Sequence, residues 1–147
     1  MELELFLRII VAMVLGGFLG LEREVYHKPA GLRTHMLISL GTVLFVLTAI
    51  LWGGDDPGKL LSGLITGIGF LGAGSIIKSG EHVAGMTTAT SMWVSSAIAM
   101  AVGFGYYSIG IAGACLGIIV LYILEKVELN LEDKESGARK NAKSNAK

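Results

Sequence analysis

The chain has 147 residues, 52% of them hydrophobic and only 16% charged, with 21 glycines, and its twelve Lys plus Arg balance its twelve Asp plus Glu. A soluble domain averages about 25% charged residues, and zero net charge offers nucleic acid no basic surface. The few charges are separated by apolar runs of about 18 residues or more, a bilayer length, so a soluble enzyme, a secreted disulfide scaffold and a disordered chain are excluded in favour of an integral membrane protein.

The first apolar stretch covers about 3–21 and is interrupted only by Glu4 and Arg8. Its leading residues are acidic where a signal peptide is basic, and no small-residue cleavage site follows, so it reads as a retained helix. Glu4 and Arg8 stand i,i+4 and pair near the membrane edge, with Arg8 snorkelling outward; a buried functional Arg8 is the alternative. A second span covers about 34–52 and ends at the turn Gly53-Gly54-Asp55-Asp56-Pro57-Gly58. The third covers about 60–77 and leads into a polar loop, Lys78-Ser79-Gly80-Glu81-His82.

From Val83 to Leu124 there are 42 residues without a charge, about 63 Å of helix at ~1.5 Å per residue. The hydrocarbon core is ~30 Å thick, so this stretch folds back once. Gly103-Phe104-Gly105-Tyr106-Tyr107-Ser108 supplies the turn, giving spans of about 84–102 and 107–124. The expectation is an all-α polytopic membrane protein, a compact bundle of five transmembrane helices. With the C-terminus inside, ten Lys and Arg lie in cytoplasmic segments and Lys59 alone outside. That bias places the N-terminus out and the C-terminus in. Residues 125–147 form a charged cytoplasmic tail, expected to be largely disordered. Cys115, the sole cysteine, falls mid-membrane as structural filler.

Helices in lipid associate through small residues that let backbones approach. Gly16 and Gly20 mark such a face on the first helix. The third carries Gly63, Gly67 and Gly74 on one side, with Gly69 and Gly72 on the other, which predicts a helix clamped between two neighbours. Gly110, Gly113 and Gly117 line one face of the fifth. On the fourth, Thr87, Thr88, Ser91 and Ser95 fall within about 100° of arc. This stripe is either inward-facing packing glue or a polar pathway or regulatory contact.

No paired carboxylates lie within a span, apart from shallow Glu4, whereas Mg²⁺ sites usually use one or two. Asp55 and Asp56 read as solvated turn residues. There is no Walker loop, HExxH motif or nucleophile elbow, and Gly67-Ile68-Gly69-Phe70-Leu71-Gly72 matches a dinucleotide fingerprint only by letter, lacking a preceding strand. No enzymatic activity, cofactor or bound metal is expected. Ionisable residues gather instead at the cytoplasmic rim: Glu22 and Arg23, then Arg33, Thr34 and His35 behind Pro29 and Gly31, then Lys78, Glu81 and His82. Glu22 paired to Arg23 or Arg33 would cap the bundle; a docking surface for a partner protein is the functional alternative.

Gly20-Leu21-Glu22-Arg23, Ala30-Gly31-Leu32-Arg33-Thr34-His35, Gly67-Ile68-Gly69-Phe70-Leu71-Gly72-Ala73-Gly74 and Gly85-Met86-Thr87-Thr88-Ala89 with Trp93 together resemble the MgtC/SapB family of bacterial inner-membrane proteins. The resemblance covers about 3–124. It implies a five-helix hydrophobic domain and an association with growth at low magnesium, acid adaptation and virulence. The family's virulence member is read as a regulator of other membrane complexes, the F-type ATP synthase among them, and the resemblance implies a regulatory role of that kind without carrying over the synthase as target. Longer members add an ACT-like C-terminal domain for which this tail has no room. The virulence member has Asn where this chain has Thr87, so the amide's paired donor and acceptor are lost here. The expected function is non-enzymatic regulation of another membrane protein. A small oligomeric carrier or channel for Mg²⁺ or another cation is the alternative, through the hydroxyl stripe and backbone carbonyls, and an inert structural subunit is a third. The glycine faces suit a homodimer as well as a single bundle.

Overall fold

A computed structural model describes residues 2–52, 57–80 and 82–145, with the backbone alone for Pro57, Leu60, Ser79, His82 and 127–145. Five helices form in chain order: α1 (Glu2–Val25), α2 (Leu32–Trp52), α3 (Pro57–Gly74), α4 (Met86–Gly103) and α5 (Tyr107–Asn145). A two-stranded antiparallel hairpin, β1 (Ile77–Ser79) with β2 (His82–Ala84), joins α3 to α4. Asp55, Asp56 and Glu81 lie outside the described residues.

Among the described residues three segments are long and apolar enough to cross a membrane: Glu2–Val25, Leu32–Trp52 and Tyr107–Lys126. In α3 the apolar stretch, Leu61–Gly74, is shorter. α4 falls short because of its hydroxyls, and Thr88, Ser91, Ser95 and Ser96 are all turned inward. Its outer side exposes Trp93 together with Thr87 and Thr90.

The helices alternate in direction. Gly16 and Gly20 of α1 face Ser39 and Leu32 of α2, so those two run antiparallel. His35 bonds Ser91 and Thr42 bonds Ser96, so α2 and α4 run parallel. α1 ends at a Schellman motif, with His27 N–H donating to Glu24 O and Lys28 N–H to Arg23 O. His27 itself adopts φ 54°, a region that glycine tolerates better. The same motif ends α4, where Gly105 (φ 88°) and Tyr106 donate to Val102 O and Ala101 O. That turn coincides with the one expected from sequence.

Several expectations are corrected. The third helix stops at Gly74 rather than near residue 77, and the expected polar loop is a hairpin. The hairpin reaches back so closely that a Cβ on Gly85 (φ 90°) would overlap Ser75 O. α3 is not clamped on two sides. Among the described residues a Cβ added at Gly63, Gly67, Gly69 or Gly74 meets nothing within 4 Å, whereas Gly72 faces Ala89 of α4. α3 lies at the edge of the bundle because α4 already fills its interior against α1, α2 and α5. α5 runs on to Asn145; the segment beyond Leu124 is rich in Lys and Glu, good helix formers that extend an existing helix cheaply.

The glycines of α1 and α5 do pack as expected. A Cβ on Gly20 would stand 2.8 Å from Leu32 Cα and 2.9 Å from Gly31 O, both backbone, and one on Gly16 would overlap Ser39 Oγ. On α5, Gly113 faces Ile98 and Gly117 faces Leu19. Gly20→Leu is therefore expected to destabilise the bundle by about 3 kcal/mol or more, whereas Gly67→Leu leaves its stability unchanged or raised. Thermal unfolding of the two variants in detergent checks the contrast.

Candidate functional site

Three stripes converge in the bundle: Gly16, Gly20 and Arg23 on α1 and His35, Ser39 and Thr42 on α2, both spaced i, i+4, i+7, and Thr88, Ser91 and Ser95 on α4, spaced i, i+3, i+7. At 100° per residue the α1 and α2 sets each span about 60° of arc, one narrow face per helix. The glycines remove the side chains that would hold α1 away, and α2 packs so close that its polar stripe is closed off. His35, Ser39 and Ser95 have no exposed surface.

His35 is held from both ring nitrogens. Gly31 O lies 3.0 Å from Nδ1, and a carbonyl only accepts, so Nδ1 carries a proton. Nε2 lies 3.1 Å from Ser91 Oγ, and that hydroxyl also lies 2.9 Å from Thr88 O. With neutral His35 the single Ser91 proton goes to Nε2; with the ring doubly protonated it goes to Thr88 O. Higher along the seam Thr42 Oγ1 and Ser96 Oγ bond at 2.9 Å. Ser39 and Ser95 lie between these two bonds, and their hydroxyls have no partner among the described residues. Beyond Thr42 and Ser96 the interior is apolar, a cluster of Ala12, Val43, Leu47, Ala99 and Val102.

At the rim below His35, Arg23 is 98% buried beside Glu22, Nη1 to Oε2 at 3.6 Å. That is an ion pair too long for a direct hydrogen bond, and both Glu22 oxygens with Arg23 Nε and Nη1 lack hydrogen-bond partners among the described residues. Glu22 thus pairs with Arg23 and not with Arg33, which is exposed at the start of α2. Lys28 reaches across to Glu125 at 2.8 Å, tying the α1–α2 loop to α5. Glu24 Oε2 accepts from Leu32 N–H at 3.0 Å, an anion on the positive end of α2. It fits because Gly31 has no Cβ to strike that carboxylate. At the opposite rim Arg8 pairs with Glu4, as expected, and also donates to Gly103 O at 2.9 Å.

The sequence candidates therefore divide. Glu22, Arg23, His35, Thr88 and Ser91 line one buried seam. Arg33 and Thr87 are exposed at the same end of the bundle, and Thr34 is half-buried beside a groove between α2 and α3. Thr90, beside the stripe, bonds back to Met86 O and Thr87 O. Sequence reasoning missed Glu24, Ser39, Thr42 and Ser96; at 100° per residue Ser39 and Thr42 share an arc with His35 just as the hydroxyls of α4 share one. Among the described residues no group of three or more His, Cys, Asp and Glu is placed to hold a metal ion.

The model of the MgtC family matches residues 9–129. The chain belongs to the MgtC family. It is 36% identical to the "Putative magnesium transporter YhiD" of Escherichia coli K12 over 143 residues, covering 91% of this chain and 66% of that protein. It is likewise 36% identical to "Protein MgtC" of Salmonella typhimurium over 110 residues, 75% of this chain and 48% of that one. An uncharacterized protein of Synechocystis is 38% identical over 117 residues, 79% of this chain and 50% of its own. The chain thus spans about half to two thirds of the length of these relatives. No solved structure matches it.

For this MgtC-family chain the rim ion pair gives a direct test. Removing one partner of a buried pair strands the other charge, at about 3–5 kcal/mol, whereas replacing both with apolar groups is often neutral. Arg23→Met should lower the unfolding midpoint in detergent sharply, and Glu22→Leu combined with Arg23→Met should restore most of it.

Proposed function

We propose that this MgtC-family protein is a non-enzymatic regulator in the bacterial inner membrane, acting by contact on another membrane complex under magnesium limitation or acid stress. In this arrangement all five helices span the bilayer, with the N-terminus out, the C-terminus in the cytoplasm, and two copies forming a homodimer. The alternating helix directions support five spans. They gather Arg23, Lys28, Arg33 and Lys126 at one rim, as the positive-inside bias requires for the cytoplasmic side.

One observation carries the regulatory reading. Among the described residues the polar seam ends at the Thr42–Ser96 bond, against the apolar cluster around Val43 and Val102. A hydrated ion following the seam from Arg23 meets closed hydrocarbon half-way, so what the molecule offers is surface rather than a path. Arg33 and Thr87, exposed at the cytoplasmic ends of parallel helices, are the polar part of that surface. Transport of Mg²⁺ is the second reading, favoured by the printed name of the Escherichia coli relative.

Copurification from native membranes separates the two. Contact regulation predicts that a defined membrane complex is retained, that Arg33→Ala loses it, and that the variant keeps the wild-type unfolding midpoint. Purified protein in liposomes should pass no more Mg²⁺ than empty liposomes. Flux above that baseline, abolished by Ser91→Ala in a folded variant, overturns regulation in favour of transport.

A further inference from the structure

The hydroxyl of Ser91 has one proton and two acceptors within reach. His35 Nε2 stands 3.1 Å away across the α2–α4 contact, and Thr88 O stands 2.9 Å away on the same helix. A serine hydroxyl donates once and accepts as well, so the direction of its proton follows the state of the ring. A neutral ring takes the Ser91 proton on Nε2. A second proton on the ring turns Nε2 into a donor, which Ser91 Oγ accepts while turning its own proton to Thr88 O. Nδ1 bonds Gly31 O in both states. His35 and Ser91 thus keep a bond across the helices throughout, and in the second state that bond is charge-assisted, the stronger kind.

The surroundings suit such a change. His35 has no exposed surface, so water does not compete for either arrangement. Arg23 of α1 is the charged side chain acting on the ring among the described residues, and Glu22 beside it offsets that charge. On α4 the ring meets Ser91, which carries no charge, and Arg33 of α2 is turned outward and exposed. Imidazole is the side chain whose ordinary titration falls between about pH 5 and 8. We infer that His35 is a proton-operated switch: on acidification, a proton taken up at Nε2 is delivered through Ser91 as a hydrogen bond to Thr88 O, in the first turn of α4. That turn also carries Thr87, part of the contact surface proposed above, so the charge on a buried ring is reported at the face offered to a partner. The link to a partner rests on the regulatory reading; the switch itself is a property of the isolated chain.

Solid-state NMR of the full chain in lipid bilayers tests the switch, with nitrogen-15 in the histidine rings and carbon-13 in the threonine carbonyls, from about pH 8 to about pH 5. The expected result is that His35 Nε2 changes from acceptor to donor and that the Thr88 carbonyl resonance moves with the same midpoint. In a folded Ser91→Ala variant the Thr88 movement should be lost, and Ser91→Thr, which keeps the hydroxyl, should restore it. A His35 ring that stays neutral to about pH 5 in the folded protein, or a Thr88 carbonyl that moves equally in Ser91→Ala, overturns the switch. Copurification at the two pH values then separates the readings. A complex retained equally at both overturns the link to the contact face and leaves contact regulation standing. No complex at either overturns contact regulation and leaves the switch standing.

Discussion

The close approach of α1 to α2 at Gly16 and Gly20 is the constraint on which the remaining structure depends. Within lipid the hydrophobic effect does little to join two apolar helices, and backbone proximity has to come from missing side chains. At Gly20 the neighbouring atoms are backbone, Leu32 Cα and Gly31 O, so no rotamer change makes room there. Once the helices meet, His35 and Ser39 are shut away from both lipid and water. His35 then finds its partner on α4 in Ser91, while Ser39 and Ser95 face into the seam without one among the described residues. A polar α4 follows from a glycine-bearing α1.

The ends of the seam obey different physics. Its upper end is closed by the apolar cluster of Ala12, Val43, Leu47, Ala99 and Val102. Its lower end holds a buried guanidinium beside a carboxylate, in an arrangement that gains little stability but is costly to break on one side. Around it, Lys28–Glu125 and Glu24 on the start of α2 fasten three elements to the same rim. α3 stands apart from all of this. It touches the bundle through Gly72 on Ala89 and through apolar contacts near Ile68 and Met92, and it leaves its other glycines open.

Much of the architecture was legible in the sequence because bilayer thickness turns apolar length into helix count. The number of helices, the turn at Gly103–Ser108 and the packing roles of Gly16, Gly20, Gly113 and Gly117 all followed from length and spacing. Glycine spacing cannot report whether a neighbour exists, so the same rule misplaced Gly63, Gly67, Gly69 and Gly74. The hairpin was hidden because three-residue strands carry almost no periodicity. At the site, the α4 stripe was visible as an arc of hydroxyls, and its inward direction agrees with the packing alternative. Its partners on α2 were masked by the apolar residues around Ser39 and Thr42. The pairing of Glu22 with Arg23 rather than Arg33 depends on the angle at which α2 enters, which Pro29 and Gly31 signal but do not specify.

Thiol accessibility measures most directly whether the seam is sealed among α1, α2 and α4. In a Cys115→Ala background, single cysteines replace Ser91, Ser95 and Thr87 in turn, and each folded protein meets a membrane-impermeant maleimide from the side that carries Arg33. A sealed seam predicts that cysteines at 91 and 95 stay unreacted until the protein is unfolded, while the one at 87 is modified at once. Modification at 91 or 95 as fast as at 87 would mean that water enters the seam, and would contradict the packing on which the rest is built.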